Sequence, residues 1–186
     1  MKKLSTYLFL ILFSFSAPSF AEEIKEIEVE GMSLGVSLLK YFSEEEIKEN
    51  TVPEVYPDTF EVSVINKKTL RYDFITATYK SNDKKYKIYG ISSGIDFPNN
   101  IENCYKEQNK IVEEISKNFK HWGILPFNEE NNSTYKPITY EDSNGDAISV
   151  SCYYFPENPK INNLKISLDL KELKNYLKSY QNKLKE

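Results

Sequence analysis

Tyr135-Lys136-Pro137-Ile138-Thr139-Tyr140-Glu141-Asp142-Ser143-Asn144-Gly145-Asp146-Ala147-Ile148-Ser149-Val150-Ser151-Cys152-Tyr153 is the stretch whose reading decides the fold. Asn144-Gly145 sits between two alternating runs. An Asn-Gly pair tolerates the positive φ angles that a tight hairpin needs, so the stretch predicts two antiparallel strands. In the second run Ile148, Val150, Cys152 and Tyr154 fall on one face, because successive strand side chains point to opposite sides. Cys152 therefore faces the core of a sheet.

The partner cysteine lies upstream. Asn99 to Trp122 predicts a long helix with Gly123 as its stop. Its apolar stripe is Ile101, Tyr105, Ile111, Val112, Ile115 and Phe119, and Cys104 falls on that stripe. Two thiols on apolar faces, the only two in the chain, read first as a disulfide in an oxidising compartment. Such a bond closes a loop of about 49 residues and contributes up to about 4 kcal/mol in the chain-entropy account. Two inert thiols are the alternative. A reactive thiol would need a base, and the single histidine, His121, sits where a cation complements the end of the long helix. A zinc site needs four ligands at close spacing, which these residues do not supply. No metal and no cofactor is expected.

Working outward, Ala21 to Val29 reads as a frayed arm or a short edge strand. Ser33 caps a short helix carrying Leu34, Leu38, Leu39 and Phe42. Ser43 and Glu46 form a capping box for a second helical turn, which explains Glu44-Glu45-Glu46 as a helix start that favours negative charge. Pro53 and Pro57 mark a connection. Strands follow at Phe60 to Val64, Leu70 to Lys80 and Tyr86 to Ile95, separated by Asn66-Lys67-Lys68-Thr69 and Ser81-Asn82-Asp83. Gly90 and Gly94 mark a bulge or strand end. After the long helix and the hairpin, Leu164, Ile166 and Leu168 predict a last strand. Asp169 and Glu172 cap a terminal helix with the stripe Leu173, Tyr176, Leu177, Tyr180 and Leu184. The expected fold is α+β, in the order ααβββαβββα. Its antiparallel sheet has about six strands in two three-strand groups, with helices packed on one face.

The first residues are an address. Lys2 and Lys3 precede the apolar run Leu4 to Phe15, Pro18 breaks it, and Ser19-Phe20-Ala21 supplies small residues before a cleavage point. Residues 1–21 are read as a signal peptide and 22–186 as a single domain, periplasmic or secreted, with no transmembrane anchor after cleavage. The formal net charge is −4, and only Arg71 is an arginine. That excludes a basic nucleic-acid footprint and leaves little bidentate phosphate recognition.

No nucleophile elbow, zinc-protease helix, phosphate loop or dinucleotide fingerprint is present. Asp142-Ser143-Asn144-Gly145-Asp146 alternates oxygens as a calcium loop does, but its glycine comes early and Tyr153 stands where the bidentate Glu belongs. The fourteen tyrosines are the unusual enrichment. Tyr72, Tyr79, Tyr86, Tyr89 and Tyr153 are candidates for an aromatic contact face, because tyrosine offers large area at low rotamer cost. Tyrosine's fitness for strands is the plainer explanation.

Two resemblances follow from these residues. Glu30-Gly31-Met32-Ser33-Leu34-Gly35, Tyr89-Gly90-Ile91-Ser92-Ser93-Gly94 and Asn100-Ile101-Glu102-Asn103-Cys104 resemble small exported proteins of marine Pelagibacter-type alphaproteobacteria, a likeness that brings no catalytic residues with it. The Gly-Met-Ser start followed by helix and antiparallel strands also resembles small outer-membrane-assembly lipoproteins and tandem-repeat β-lactamase inhibitor proteins. The lipoprotein cysteine is missing here. This second likeness implies binding through a concave sheet face. The expected function is a non-catalytic binding or interaction module of the envelope, taking an envelope protein or a small ligand. The alternative is a small hydrolase acting on glycan or peptide through paired carboxylates.

Overall fold

A computed structural model describes residues 24–56, 59–65, 72–120, 122–125 and 135–183. The expected leader, the turn 66–69, Arg71, His121 and Leu184 lie outside the described residues. The fold is α+β, with one eight-stranded antiparallel sheet and one two-stranded hairpin.

The hairpin pairs β1 (Glu28–Val29) with β2 (Met32–Ser33). Then come α1 (Glu44–Glu49), β3 (Thr51–Tyr56), β4 (Phe60–Val64), β5 (Phe74–Lys80), β6 (Gly90–Asp96) and α2 (Ile101–Asn118). β7 (Gly123–Leu125), β8 (Tyr135–Glu141), β9 (Ala147–Tyr153), β10 (Asn163–Asp169) and α3 (Lys171–Lys183) complete the chain. The large sheet runs β3-β4-β5-β6-β10-β9-β8-β7. Each half is thus a helix followed by a four-strand meander, and the fourth strands, β6 and β10, pair antiparallel at the centre.

The expected two groups of three strands are corrected to two groups of four. β3 was read as a connection because of Pro53. Proline removes one ladder donor and is tolerated at a sheet edge, where β3 lies. A register irregularity between Val52 and Tyr56, with Glu54 at φ 61°, accommodates it. β7 is only three residues long and begins at the glycine read as a helix stop. The helix expected from Ser33 is a β-strand residue followed by a 3-10 turn over Leu38–Lys40. Gly35, at φ +82°, interrupts the helical backbone, and the segment pairs with residues 86–88 through Gly35 N–H to Ile88 O, Ile88 N–H to Val36 O and Leu38 N–H to Tyr86 O. That pairing also moves the start of β6 from Tyr86 to Gly90.

The helices lie on both faces of the sheet, not on one. On the first face Leu164, Ile166 and Leu168 of β10 align with Cys152, Val150 and Ile148 of β9. α2 covers this face. Cys104 bonds Cys152 with an S–S distance of 2.00 Å and a Cα separation of 6.0 Å. The Gln108 amide donates to Lys136 O and Val150 O at 2.7 and 2.8 Å. Ile111 and Ile115 are buried beneath it. The N-terminal segment and α1 extend the cover: Ile24, Ile27, Met32, Leu38 and Ile47 are buried in the same core, and Ser63 Oγ donates to Ile47 O. α1 carries the expected capping box. α3 instead crosses the opposite face. A Cβ placed on Gly90 would stand 2.5 Å from Leu173 of α3, and Tyr176 packs on Phe60 of β4 with ring centroids 5.2 Å apart.

The hairpin turn works as a clamp rather than a cation loop. Asp142 accepts from the N–H groups of Ile24, Asn144 and Asp146. Asp146 accepts from Lys171 N–H, the first residue of α3, at 2.8 Å. The carboxylate at the start of α3 is therefore Asp146, not the expected Asp169, which belongs to β10.

Cys104→Ala and Cys152→Ala should each lower the melting temperature, and the double variant should cost little more than either alone, since the two act as one unit. The loss should not exceed about 4 kcal/mol. Additive losses in thermal unfolding would show that the cysteines act separately.

Candidate functional site

The second face of the sheet is polar where the first is apolar. β10, a central strand, turns Asn163, Lys165, Ser167 and Asp169 to it, each half-buried. Pairing across the sheet sets the neighbours in rows. Ser167 aligns with Ser92 of β6 and Ser149 of β9, and these align with Thr76 of β5 and Thr139 of β8. Five hydroxyls thus cross five adjacent strands. Ser92 and Ser167 share a hydrogen bond at 3.0 Å, and Thr139 and Ser149 one at 2.8 Å.

Glycines flank the two charges. Asp169 is paired with Gly90 and Lys165 with Gly94, so β6 sets no side chain beside either. Neighbours fill the space: Leu173 lies over Gly90, and a Cβ on Gly94 would stand 1.9 Å from the Phe74 ring. Gly90 and Gly94 are thus close-packing positions inside a regular ladder.

The face is concave. Tyr56 on edge strand β3 and Tyr153 on β9 are five strand spacings apart in the sheet order, about 24 Å along a flat sheet at ~4.8 Å per strand. Yet Tyr153 feels Tyr56 electrostatically, and both feel Asp169. The sheet is curled so that these side chains converge over β10. Tyr135 meets Tyr153 with centroids 4.8 Å apart, and Tyr56 meets Tyr176 of α3 at 6.1 Å.

Desolvation dominates the electrostatics of this hollow. It pushes the Asp169 carboxyl up to about 6, against the opposing pull of Lys165 and Lys174. It lowers Lys165 below the usual ammonium range, pushes Tyr56 up to about 12, and raises Tyr135 and Tyr153. Lys174 is engaged by Glu141. The side chains of Asp169 and Lys165 make no hydrogen bond or close ion pair among the described residues, though each acts on the other electrostatically.

Of the tyrosines singled out in the sequence, Tyr153 stands on this face, and Tyr89 lies on it too, packed beneath α3 beside Phe60 and Lys80. Tyr72, Tyr79, Tyr86 and Tyr89 are buried. Tyr79 hydrogen-bonds Thr51 and Tyr86 donates to Glu44, while Tyr89 packs against Phe60. Tyr135, Lys165 and Asp169 were not singled out. Their signal was the polar parity of 163–169, visible once that strand is placed at the centre of a sheet.

A second hollow of about 1300 Å³ opens around β3, α1 and the β5–β6 connection, lined among others by Glu44, Lys48, Glu54, Asp83 and Tyr86. Three of its charges are engaged within the protein: Lys48 bonds Glu44 at 2.5 Å and holds that carboxyl below its ordinary range. Asp83 accepts from the backbone N–H groups of Lys85 and Lys87. Comparison of the chain with protein-family models, curated proteins and solved structures found no match.

Asp169 sets a pH dependence. Its folded-state value, near 6, lies above the ~3.9 of an unfolded chain, so the folded state holds the extra proton between about pH 4 and 6. Stability from this group is greatest below that window and falls as pH rises through it. Lys165, Lys174, Tyr56, Tyr135 and Tyr153 all face the carboxyl, and its raised value already includes the two lysines. Asp169→Asn should therefore stabilise the protein at pH 7 by about 2 kcal/mol and change it little at pH 4. Denaturant unfolding at the two pH values measures this; an equal effect at both would refute it.

Proposed function

We propose that the protein is an exported, non-catalytic binding module of the cell envelope, with the concave sheet face as its ligand seat. One observation carries the reading. A central strand turns an unpaired carboxylate and an unpaired ammonium into a hydroxyl-floored hollow. Burial of unpaired charge disfavours the folded state, so such a strand is poor design for stability alone. An incoming polar ligand that satisfies both charges would reverse that cost. The tyrosines at the two ends of the hollow suit contact with a bound molecule.

The Cys104–Cys152 bond suits an oxidising compartment. Among the described residues no helix is long and apolar enough to cross a membrane. The hydrolase reading has one feature in its favour, since a carboxyl near 6 suits a general acid. It also needs a second carboxylate free to act. Glu141, in the same row two strands away, is held by Lys174.

The test is amide chemical-shift mapping of the exported protein titrated with the small-molecule fraction of its own periplasm. Changes should centre on Ser149, Ser151, Tyr153, Lys165 and Ser167 and be lost in Tyr153→Ala. Changes centred on the hollow around β3 and α1, or none, would overturn the reading. Formation of cleavage products that stops in Asp169→Asn would replace it with the hydrolase. Recovery of a chain beginning at Glu22 from the periplasm is the expected export result; an unprocessed chain would contradict export.

A further inference from the structure

Lys165 and Asp169 stand on one strand, on one face, four positions apart, with Ser167 between them. At ~3.3 Å per residue their Cα atoms are about 13 Å apart. The long lysine side chain shortens the gap between the charged ends, yet the two do not meet in an ion pair. Each faces a glycine of β6 rather than a side chain. Lys174, the other cation near Asp169, is occupied by Glu141.

We propose that this pair receives a short linear peptide with free ends, its carboxylate on Lys165 and its ammonium on Asp169. The proposal rests on the concave face being the binding seat and names the chemistry of the occupant. Opposite charges at the two ends of the strand select a zwitterion. A polyanion would meet Asp169 unmatched, a polycation would meet Lys165, and a neutral sugar would leave both charges unpaired. The separation bounds length: Cα atoms about 13 Å apart, with a contact of about 3 Å at each charged end, leave room for no more than a dipeptide at ~3.5 Å per residue. The floor suits an amide backbone, because the paired hydroxyls of Ser92 and Ser167 and of Thr139 and Ser149 can donate to and accept from peptide groups lying between the charges.

The experiment is calorimetric titration at pH 7.5 and low salt with Ala-Ala, its N-acetyl form, its C-terminal amide, and maltotriose, with amide shifts recorded in parallel. Ala-Ala is expected to bind with shifts at Lys165, Ser167 and Asp169, and each blocked form to bind at least about tenfold more weakly. Lys165→Met should abolish the preference over the amide while keeping that over the acetyl form. Asp169→Asn should do the reverse. Both replacements remove an unpaired charge, so they are expected to fold. Equal binding of blocked and free peptides overturns the proposal, as does binding of maltotriose but not Ala-Ala. If every probe fails while periplasmic extract still shifts the concave face, the peptide assignment falls and the binding seat stands. If the extract too leaves that face unmoved, both fall.

Discussion

The antiparallel pairing of β6 with β10 is the constraint on which the molecule depends. It joins residues 90–96 to 163–169 through seven aligned pairs, and it is the only pairing that links the two four-strand meanders within the large sheet among the described residues. All other neighbours in that sheet are consecutive in the chain, so their loop-closure cost is small. The central pair must close a loop of about seventy residues, an entropic cost that local contacts do not meet. The Cys104–Cys152 bond lies beside this seam, tying α2 to the strand next to β10. It shortens the loop that must be ordered.

The same pairing divides the sheet by chemistry. On one face Leu164, Ile166 and Leu168 enter the core under α2 and the N-terminal segment. On the other, the sequence Gly-Ile-Ser-Ser-Gly of β6 puts Gly90, Ser92 and Gly94 opposite Asp169, Ser167 and Lys165. The two glycines make room for Leu173 and the Phe74 ring, and α3 walls one end of the face through Leu173 and Tyr176. An antiparallel sheet commonly keeps one face in contact with water. Here that face is curled, so its polar residues are only partly hydrated, and their charges are perturbed in the directions desolvation requires.

Much of this was legible in the residues. The Asn-Gly hairpin, the α2 stripe and the parity of Cys104 and Cys152 predicted the helix-on-strand contact. The Ser43–Glu46 box marked α1. What failed had physical causes. Pro53 hid β3, because edge strands accept a proline that central strands reject. The Leu34–Phe42 segment has helical spacing, but Gly35 and backbone pairing to residues 86–88 override it. Asp169 fits a helix cap on local pattern alone; only the register shows it inside a sheet, with Asp146 from the distant hairpin holding the helix start. The concave site was the least visible part. Tyr56, Tyr153 and Asp169 converge through curvature, which no local pattern encodes, and four of the five candidate tyrosines serve the core instead.

The central claim is that Asp169 is a desolvated, unpaired carboxylate on the floor of a concave face. Carbon-13 titration of its side-chain carboxyl in the free protein measures this directly. The account predicts a midpoint near pH 6, with the Tyr56 and Tyr153 ring signals responding to the same titration. A midpoint near the ~3.9 of a solvated aspartate, with the tyrosine rings unmoved, would mean an open, flat and hydrated sheet face, and would contradict the account.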